Sequence, residues 1–479
     1  MVTDNFFIYL IPQGVQLILT ICLIPIFTLY LFPADYGIAA AISIITGLLK
    51  ALSATGPSWV LNSNYYKIND HERKVLAFNC LLTEILMKSL ILVVAFLLGD
   101  FLLTKVLKTV SSDYTRYYRI ALLTFLFSFT TSTAFSLMVI RKDARYSALT
   151  QVTSMITANI AGLVLLCVFG LRTIVLFLMP LVASIVNFIF FAGYLRNKIT
   201  AKLSLKYLKE ILTIGLPALP KTISSYIYRA ADKYFIQIFL TSYHLGIYDY
   251  SLRFKQVMIP VQKSLSRTIL PEIIETADKK KSFDRFYTIS KLWLYFMFLA
   301  SFLMISFGTE IISFLTHGKF RESGRIISVW YLVIFIECYF PFYNSLIFYM
   351  KKIKVIIYIF VVIAVINILL IIILILKYEA IGVAFAALIS MFLEALLLIS
   401  YVKRKYKINF NDALYITQFL LLLTYYFVSV YMPMGLKIIS FVLVSGIALY
   451  NVNIKSLLRD VSLKRFLSRV VSIKKSNNK

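Results

Sequence analysis

The chain is organised around residues 245–274, which read LGIYDYSLRFKQVMIPVQKSLSRTILPEII. This stretch is long enough to cross a bilayer, yet it carries polar side chains along its whole length. At about 100° per residue these side chains fall within about 80° of one another and extend over about 27 Å of helix, close to the thickness of a hydrocarbon core. The stripe consists of Asp249, Arg253, Gln256, Pro260, Lys263 and Arg267. Because such a stripe is costly in a membrane unless it faces water, it predicts one wall of a path for a polar, anionic cargo.

The rest of the chain has the composition of a membrane protein. Of its 479 residues 60% are hydrophobic, and the mean hydropathy is +0.84. Apolar runs recur from end to end, and we predict an all-α polytopic membrane protein with about 14 transmembrane helices. The predicted helices are 6–32, 37–62, 75–99, 118–140, 146–169, 173–195, 210–240, 246–273, 287–316, 325–350, 355–376, 381–402, 413–431 and 435–453.

The formal net charge of +28 is distributed unevenly between alternate connections. If the N-terminus is cytoplasmic, the inside segments hold roughly three times as many Lys and Arg residues as the outside loops. The bias predicts that both termini are cytoplasmic. It also explains the positive charge without nucleic acid, which we do not expect as a partner.

Short motifs repeat at an offset of about 209 residues. Asp35-Tyr36-Gly37-Ile38 joins the first two predicted helices, and His244-Leu245-Gly246-Ile247 joins the seventh and eighth. Further matches lie near the same offset: Ser136-Leu137 with Ser345-Leu346, Arg141-Lys142 with Lys351-Lys352, and Asn159 with Asn367. The repeat predicts two six-helix lobes related by an axis along the membrane normal, with the cargo site between them.

The predicted domains follow from this repeat. Residues 1–200 form an N-lobe of helices 1–6, and residues 201–405 form a C-lobe of helices 7–12. Residues 406–479 add helices 13 and 14 and a basic cytoplasmic tail. Within this division, 196–209 is the expected linker between the lobes, lying on the cytoplasmic face.

The candidate binding residues are charged side chains on predicted helices 2, 7 and 8. Helices 7 and 8 carry more cations than acids, which is the surplus that a pyrophosphate or an acidic sugar would need. Helix 2, the N-lobe counterpart of helix 8, carries a single mid-helix cation. Residues near helix ends, such as Lys221 and Arg267, also fit a simpler interpretation in which they extend to lipid headgroups. The predicted substrate-binding set is Lys50, Lys221, Arg229, Asp232, Lys233, Asp249, Arg253, Lys263 and Arg267.

No pattern of catalytic residues, cofactor-binding motif or metal-ligand spacing is recognisable in the sequence. The four cysteines are scattered through apolar runs, and there is no glycine–lysine loop of the kind that binds ATP phosphates. We therefore expect a protein that is not an enzyme and holds neither a cofactor nor a metal. Glu337 and Glu394 are single acids in apolar helices, so coupling to H⁺ or Na⁺ stays open.

The junction motifs resemble a known family. Asp35-Tyr36-Gly37-Ile38, Gly215-Leu216-Pro217, Asp232-Lys233 and Leu245-Gly246-Ile247-Tyr248 are similar to segments of the polysaccharide flippases (Wzx type). These belong to the multidrug/oligosaccharidyl-lipid/polysaccharide exporter superfamily. The resemblance covers about residues 6–405, and helices 13 and 14 match the longer members.

The resemblance implies a function in lipopolysaccharide or capsule synthesis. Such proteins carry an undecaprenyl-pyrophosphate-linked oligosaccharide, an O-antigen or capsule repeat unit, from the cytoplasmic to the outer leaflet by alternating access. It implies a bacterial inner membrane location and, as partners beyond the cargo and membrane lipids, a polysaccharide polymerase and a chain-length regulator. Two alternatives stay open: a cation-coupled small-molecule exporter of the same superfamily, and a membrane-embedded polysaccharide polymerase or ligase.

Overall fold

Every regular element of the described structure is a helix. The computed structural model describes residues 2–53, 56–108, 112–278, 284–350, 352–406 and 411–452. The predicted all-α membrane fold is confirmed within these ranges. The helices are α1 (Val2–Tyr30), α2 (Pro33–Leu52), α3 (Pro57–Asn64), α4 (Asp70–Leu97), α5 (Gly99–Phe101), α6 (Ser112–Leu126), α7 (Thr131–Ile140), α8 (Ala144–Cys167), α9 (Val175–Leu195), α10 (Leu205–Phe239), α11 (Ser242–Asp278), α12 (Asp284–Leu315), α13 (Arg321–Glu337), α14 (Phe340–Tyr349), α15 (Ile353–Tyr406), α16 (Asp412–Ser429) and α17 (Met434–Val452).

Ten helical segments in the described ranges are long and apolar enough to cross a membrane, so the chain is a multi-pass membrane protein. These ten do not include α10 and α11, whose charged residues lower their hydropathy. The segment labelled α15 comprises two helices that meet at a kink, because the backbone of Glu379 is not helical (φ 53°, ψ −140°), and these two helices correspond to the predicted helices 355–376 and 381–402. The shorter apolar stretch Met434–Ala448 is also outside the ten. The exact number of fourteen spans therefore stays a prediction.

Three predicted spans are broken helices. The predicted helix 37–62 divides into α2 and α3, and Gly56 adopts φ 84° just before Pro57 begins α3. The predicted helix 118–140 divides into α6 and α7, and 325–350 divides into α13 and α14. Hydropathy averaged over a whole span did not reveal these breaks, although each has a local signal in the sequence: Gly56-Pro57, the Ser and Thr residues of 128–133, and Pro341.

The breaks in predicted helices 4 and 10 are held by side chains at equivalent positions of the repeat. The carboxylate of Glu84 accepts hydrogen bonds from the backbone N–H groups of Ser132 and Thr133 at the start of α7, both at 2.9 Å. At the second break, Trp293 donates its indole N–H to the carbonyl oxygen of Cys338 at 2.8 Å. Glu84 and Trp293 are 209 residues apart, which is the offset of the sequence repeat. Each side chain satisfies backbone groups that a break would otherwise leave unpaired in the apolar layer.

The two repeated junction motifs lie against each other. A methyl group added to Gly37 would lie 1.7 Å from the carbonyl oxygen of Ser242, and one added to Gly246 would lie 1.7 Å from that of Pro33. Gly37 thus touches Ser242, four residues before Gly246, and Gly246 touches Pro33, four residues before Gly37. Such reciprocal contacts are expected for two junctions related by a pseudo-two-fold axis. Only glycine allows this approach, because any side chain would meet backbone. We call this end of the helices the junction end.

The opposite ends of α4 and α7–α9 carry clusters of Lys and Arg, and we call them the basic end. At this end, the segment between α9 and α10 is hydrogen-bonded to α4. The Thr200 N–H donates to the carbonyl oxygen of Lys74 at 3.2 Å, and Asn79 bonds both Lys202 and Ser204. The start of α10 is thereby placed next to α4.

The chain forms two compact units. The first comprises the described residues up to 257 together with 312–326 and 367–386. One apolar cluster of this unit joins α3, α4, α7 and α9 around Leu61, Leu76 and Leu137. The second comprises 258–311, 327–366 and the described residues from 387, with Val329, Leu332 and Phe335 of α13 in its interior. The division into lobes at residues 200 and 405 stays a prediction.

Candidate functional site

The hairpin of α10 and α11 brings two Asp residues next to two hydrogen-bond donors. Tyr248 donates its hydroxyl to the Asp232 carboxylate at 2.6 Å, and the Lys233 ammonium contacts the Asp249 carboxylate at 2.5 Å. The two helices run antiparallel, so neighbouring positions on α10 face neighbouring positions on α11. Charged hydrogen bonds of this length are the strong class, and they fix the register of the hairpin.

Arg253 joins this cluster one turn further along α11. Its guanidinium lies 3.4 Å from the second oxygen of Asp249, an ion pair typical of residues four positions apart on a helix. The Arg253 side chain is 44% exposed, whereas that of Asp249 is 12% exposed. One carboxylate thus serves two cations, and Arg253 remains partly open to a further anion.

Arg253 also lies over an aromatic ring of the other junction motif. Its guanidinium carbon is 4.8 Å from the ring centroid of Tyr36 on α2. Tyr36 packs edge-on against Tyr250 (5.6 Å) and Phe320 (5.4 Å). A cation–π contact of this geometry contributes about 0.5–2 kcal/mol, depending on how far it is removed from water. The cationic cluster is therefore continuous with the aromatic packing of the junction end.

Further polar contacts hold the junction end together. Asp35 accepts from the Phe32 N–H at 2.8 Å and from the Thr173 hydroxyl. Lys319 donates to the carbonyl oxygen of Leu29 at 2.6 Å and lies 4.1 Å from the Phe32 ring centroid. Burial and repulsion from Arg172 lower the pKa of Lys319, and the carboxylate of Asp35 opposes that effect. These bonds would have to be released or moved if this end opened.

Lys50 occupies a different place from the one predicted. It lies in the last turn of α2, immediately before the break, and not at the middle of a continuous helix. Its side chain is exposed, and a cation in this turn is favoured by the partial negative charge of the helix C-terminus. One turn earlier, α2 packs closely on α10, where Tyr226 donates to the carbonyl oxygen of Ile44 at 2.6 Å and contacts Gly47.

Lys221 and Arg229 lie on α10 on either side of Tyr226, with both side chains exposed. Because α2 and α10 are antiparallel, Lys50 and Lys221 are displaced from Tyr226 toward the same, basic end. In the described ranges, neither these two lysines nor Arg229 forms an ion pair with a carboxylate. The side chains of Lys263 and Arg267 lie outside the described part of the structure, although the backbone of α11 is helical through both.

The tyrosines are the contacts that the sequence patterns did not assign. Tyrosines are common near membrane surfaces, so their positions in the sequence assign them no role, but Tyr226, Tyr248 and Tyr250 each have an internal contact. Tyr248 is a hydrogen-bond donor to an acid, Tyr226 joins α10 to α2, and Tyr250 stacks on Phe320 at 4.2 Å.

The family follows from comparison with known proteins. A family model described as "Polysaccharide biosynthesis protein" matches residues 29–325, which is more than half of the chain. The chain belongs to the polysaccharide biosynthesis protein family. The matched region contains both junction motifs, α10 and the cluster around Asp249. Comparison with curated protein sequences finds no match.

Solved structures share the fold of this family member. A structure of the lipid II flippase MurJ in an inward closed conformation has a TM-score of 0.75 at 18% identity and covers 94% of this chain and 100% of that one. An inward-facing multidrug resistance MATE family transporter of the MOP superfamily has a TM-score of 0.63 at 12% identity, covering 83% and 96%. An outward-facing structure of a transporter of that type gives 0.59 at 14%, covering 83% and 94%. The predicted exporter-superfamily fold is thus confirmed.

Proposed function

We propose that this member of the polysaccharide biosynthesis protein family is a flippase for a lipid-linked oligosaccharide. Its cargo would be an undecaprenyl-pyrophosphate-linked repeat unit of O-antigen or capsule, moved from the cytoplasmic to the outer leaflet of the bacterial inner membrane by alternating access. The family match and the similarity in fold to a lipid II flippase support this class of cargo. The termini would be cytoplasmic, so the junction end would face outward.

The observation that carries the proposal is the charge of α10 and α11. Asp249 is shared between Lys233 and Arg253, so the carboxylate cannot neutralise both cations. Lys50, Lys221 and Arg229 add positive charge toward the basic end without a carboxylate partner in the described ranges. A pyrophosphate, with several charged oxygens, can bind several such donors at once. Lys263 and Arg267 would extend the same surface along α11.

In the proposed cycle the protein would accept the cargo head from the basic end while the junction end is closed. Gly37 and Gly246 lie in backbone contact, and Tyr36, Tyr250 and Phe320 pack beside them, so no cargo could pass there without separation of the two motifs. Separation at the junction end, with closure at the basic end, would release the head on the other side. The lipid tail would remain in the membrane throughout.

The test is restoration of surface polysaccharide in a cell that lacks the gene. We expect Arg253→Ala and Lys263→Ala each to reduce surface polysaccharide, and the double variant to abolish it while the lipid-linked unit accumulates inside. The matched control is Arg119→Ala, which removes a cation of α6 outside the α10–α11 hairpin. Normal polysaccharide from the double variant, at a normal membrane level, would contradict the assignment of these cations.

The alternative functions predict other outcomes. The MATE family resemblance in fold admits a cation-coupled exporter of small molecules, and this would show as drug sensitivity in the deletion strain with normal surface polysaccharide. An embedded polymerase or ligase would leave translocated single repeat units on the outer leaflet when the gene is deleted. The described structures with this fold are a flippase and transporters, and we therefore do not propose an enzyme.

A further inference from the structure

A basic groove lies at the basic end of the first unit, apart from the α10–α11 hairpin. It consists of two adjoining cavities of about 630 Å³ and 580 Å³ that share Lys142, Asn197 and Lys198. The walls are the starts of α4 and α8, the ends of α7 and α9, and the adjoining turns. Each volume falls in the range of small-ligand sites, about 300–1,000 Å³.

The two carboxylates that line this groove already have partners within the protein. Asp70 contacts Arg73 at 2.5 Å, and Asp143 accepts the hydroxyl of Tyr194 and lies 3.6 Å from Arg141. Four further cations line the cavities without an ion pair to any carboxylate in the described ranges: Lys74, Lys142, Arg145 and Lys198. The groove therefore presents a net positive surface that its own acids do not neutralise.

Tyrosines hold the walls of the groove in place. Tyr65, 5% exposed, accepts from Arg73 at its carbonyl oxygen (2.8 Å) and from Arg141 at its hydroxyl (3.0 Å). Tyr66 donates to the carbonyl oxygen of Ile140 at 2.5 Å. Because one buried residue binds both guanidiniums, the Arg73 and Arg141 part of the cationic surface is preorganised.

Lys142 is held in a strained backbone conformation at the centre of the groove. Its φ is 59°, in the left-handed region where glycine is usually found at a helix end. The Asp143 N–H bonds the carbonyl oxygen of Met138 at 2.9 Å, which closes the turn that requires this conformation. A lysine at this position costs stability, and its placement between the two cavities is the kind of arrangement in which strain accompanies binding.

The surroundings of the groove point to a lipid. It lies at the ends of membrane helices, and about one helical turn from its lining residues Lys142, Arg145 and Gly193 there are exposed apolar side chains: Val139 (44%), Leu149 (55%) and Ile189 (63%). A molecule with its phosphate in the groove would have acyl chains beside these residues. We propose that the groove binds the phosphodiester headgroup of an anionic phospholipid of the surrounding leaflet, as basic pockets between membrane helices can.

The proposal is tested by lipid retention in native mass spectrometry on the full-length protein. Phosphatidylglycerol and phosphatidylcholine would be offered in equal amounts, with inorganic phosphate as a competitor. We expect the wild-type chain to retain phosphatidylglycerol selectively, with the selectivity unaffected by phosphate at matched ionic strength. Lys142→Gly together with Lys198→Gln should lower the selectivity on the order of tenfold, since each cation near a membrane surface adds to anionic-lipid binding.

Two comparisons separate binding from folding. Lys142→Gly alone should raise the thermal unfolding temperature, because it relieves the left-handed strain, while it lowers lipid retention. Arg116→Gln with Arg119→Gln, which removes two cations of α6 outside the groove, should leave retention unchanged. Full selectivity in the groove variant would overturn the proposal. Displacement of the lipid by inorganic phosphate would overturn the lipid assignment and identify a soluble phosphate as the ligand.

Discussion

The contact between the two junction motifs predicts that Gly246→Ala opens the junction end. The added methyl group would lie 1.7 Å from the carbonyl oxygen of Pro33, whereas real contacts of this kind are essentially never below 3.0 Å. The two segments would therefore have to separate by at least 1.3 Å (3.0 − 1.7), because the carbonyl oxygen is part of the backbone and the position of the Cβ is fixed by its own backbone, so neither atom can rotate away. Overpacking of this kind costs about 1–3 kcal/mol.

In the proposed cycle, this cost acts on the equilibrium between the conformations with a closed and with an open junction end. An opened junction end is free of the clash, so the same 1–3 kcal/mol favours opening by a factor of about 5–150. Gly37→Ala should act in the same direction, because its methyl group would lie 1.7 Å from the carbonyl oxygen of Ser242. One separation relieves both clashes, so the double variant should be little more open than either single variant.

The assay is labelling of a cysteine placed at Tyr243, a residue 39% exposed beside the contact, in a chain whose four cysteines are replaced. A membrane-impermeant maleimide should label Gly246→Ala faster than the parent, and surface polysaccharide should fall because the closed state is depopulated. The control is Gly446→Ala, where the added methyl group meets nothing within 4 Å. If both glycine variants were labelled at the rate of the parent and made normal amounts of surface polysaccharide, the close contact between the two junction motifs would be refuted.

Three further predictions concern stability, measured as thermal unfolding of the purified protein in detergent. Asp249→Asn should cost about 1–3 kcal/mol, less than a fully buried pair because Arg253 is 44% exposed, whereas Asp70→Asn, with its carboxylate 89% exposed, should stay within about 1 kcal/mol; equal losses would contradict the cluster. Glu84→Gln should cost about 3–5 kcal/mol, because the buried Lys88 ammonium would keep the carbonyl oxygen of Ser128 but lose the charge of its carboxylate partner, and Trp293→Phe should cost about 1 kcal/mol for one neutral hydrogen bond; the reverse order would contradict the roles of Glu84 and Trp293 at the two breaks. Gly47→Ala should be destabilising through contacts of 2.4 Å and 2.5 Å with the hydroxyl and ring of Tyr226, so Tyr226→Ala and not Tyr226→Phe should relieve the clash.

Local patterns predicted the features that depend on neighbours in sequence. Asp249 and Arg253 are one helical turn apart, so their pairing was visible from spacing alone. The class of fold followed from apolar runs, and the junction motifs from their recurrence. By contrast, the partner of Arg253 on α2 is Tyr36, more than two hundred positions away, and no spacing rule connects them.

The breaks in the predicted spans were missed for the same physical reason. Within a membrane a helix can break only where other groups satisfy its backbone, and those groups come from elsewhere in the chain. Glu84 supplies them for α7 from a separate helix, so the Ser and Thr residues of 128–133 mark the place of the break in the sequence but do not show what satisfies its backbone. Lys50 was predicted in the middle of a helix but lies in the last turn of α2, because the chain breaks before α3 begins at Pro57.

The position of Arg253 suggests how cargo binding and opening would be connected in the proposed flippase. Its guanidinium has two neighbours, the carboxylate of Asp249 at 3.4 Å and the ring of Tyr36 at 4.8 Å, and only the second belongs to the other junction motif. A pyrophosphate oxygen is a stronger partner for a guanidinium than an aromatic face, since a bidentate charged bond exceeds a cation–π contact. An anion that draws Arg253 toward itself would thus remove one contact that favours the closed junction end. Lys233 would keep Asp249 neutralised during this exchange, at 2.5 Å, so the buried carboxylate would not be left without a cation. Arg253→Lys keeps the positive charge but loses the planar guanidinium that can bind an anion through two N–H groups. It should therefore impair transport more than it impairs stability.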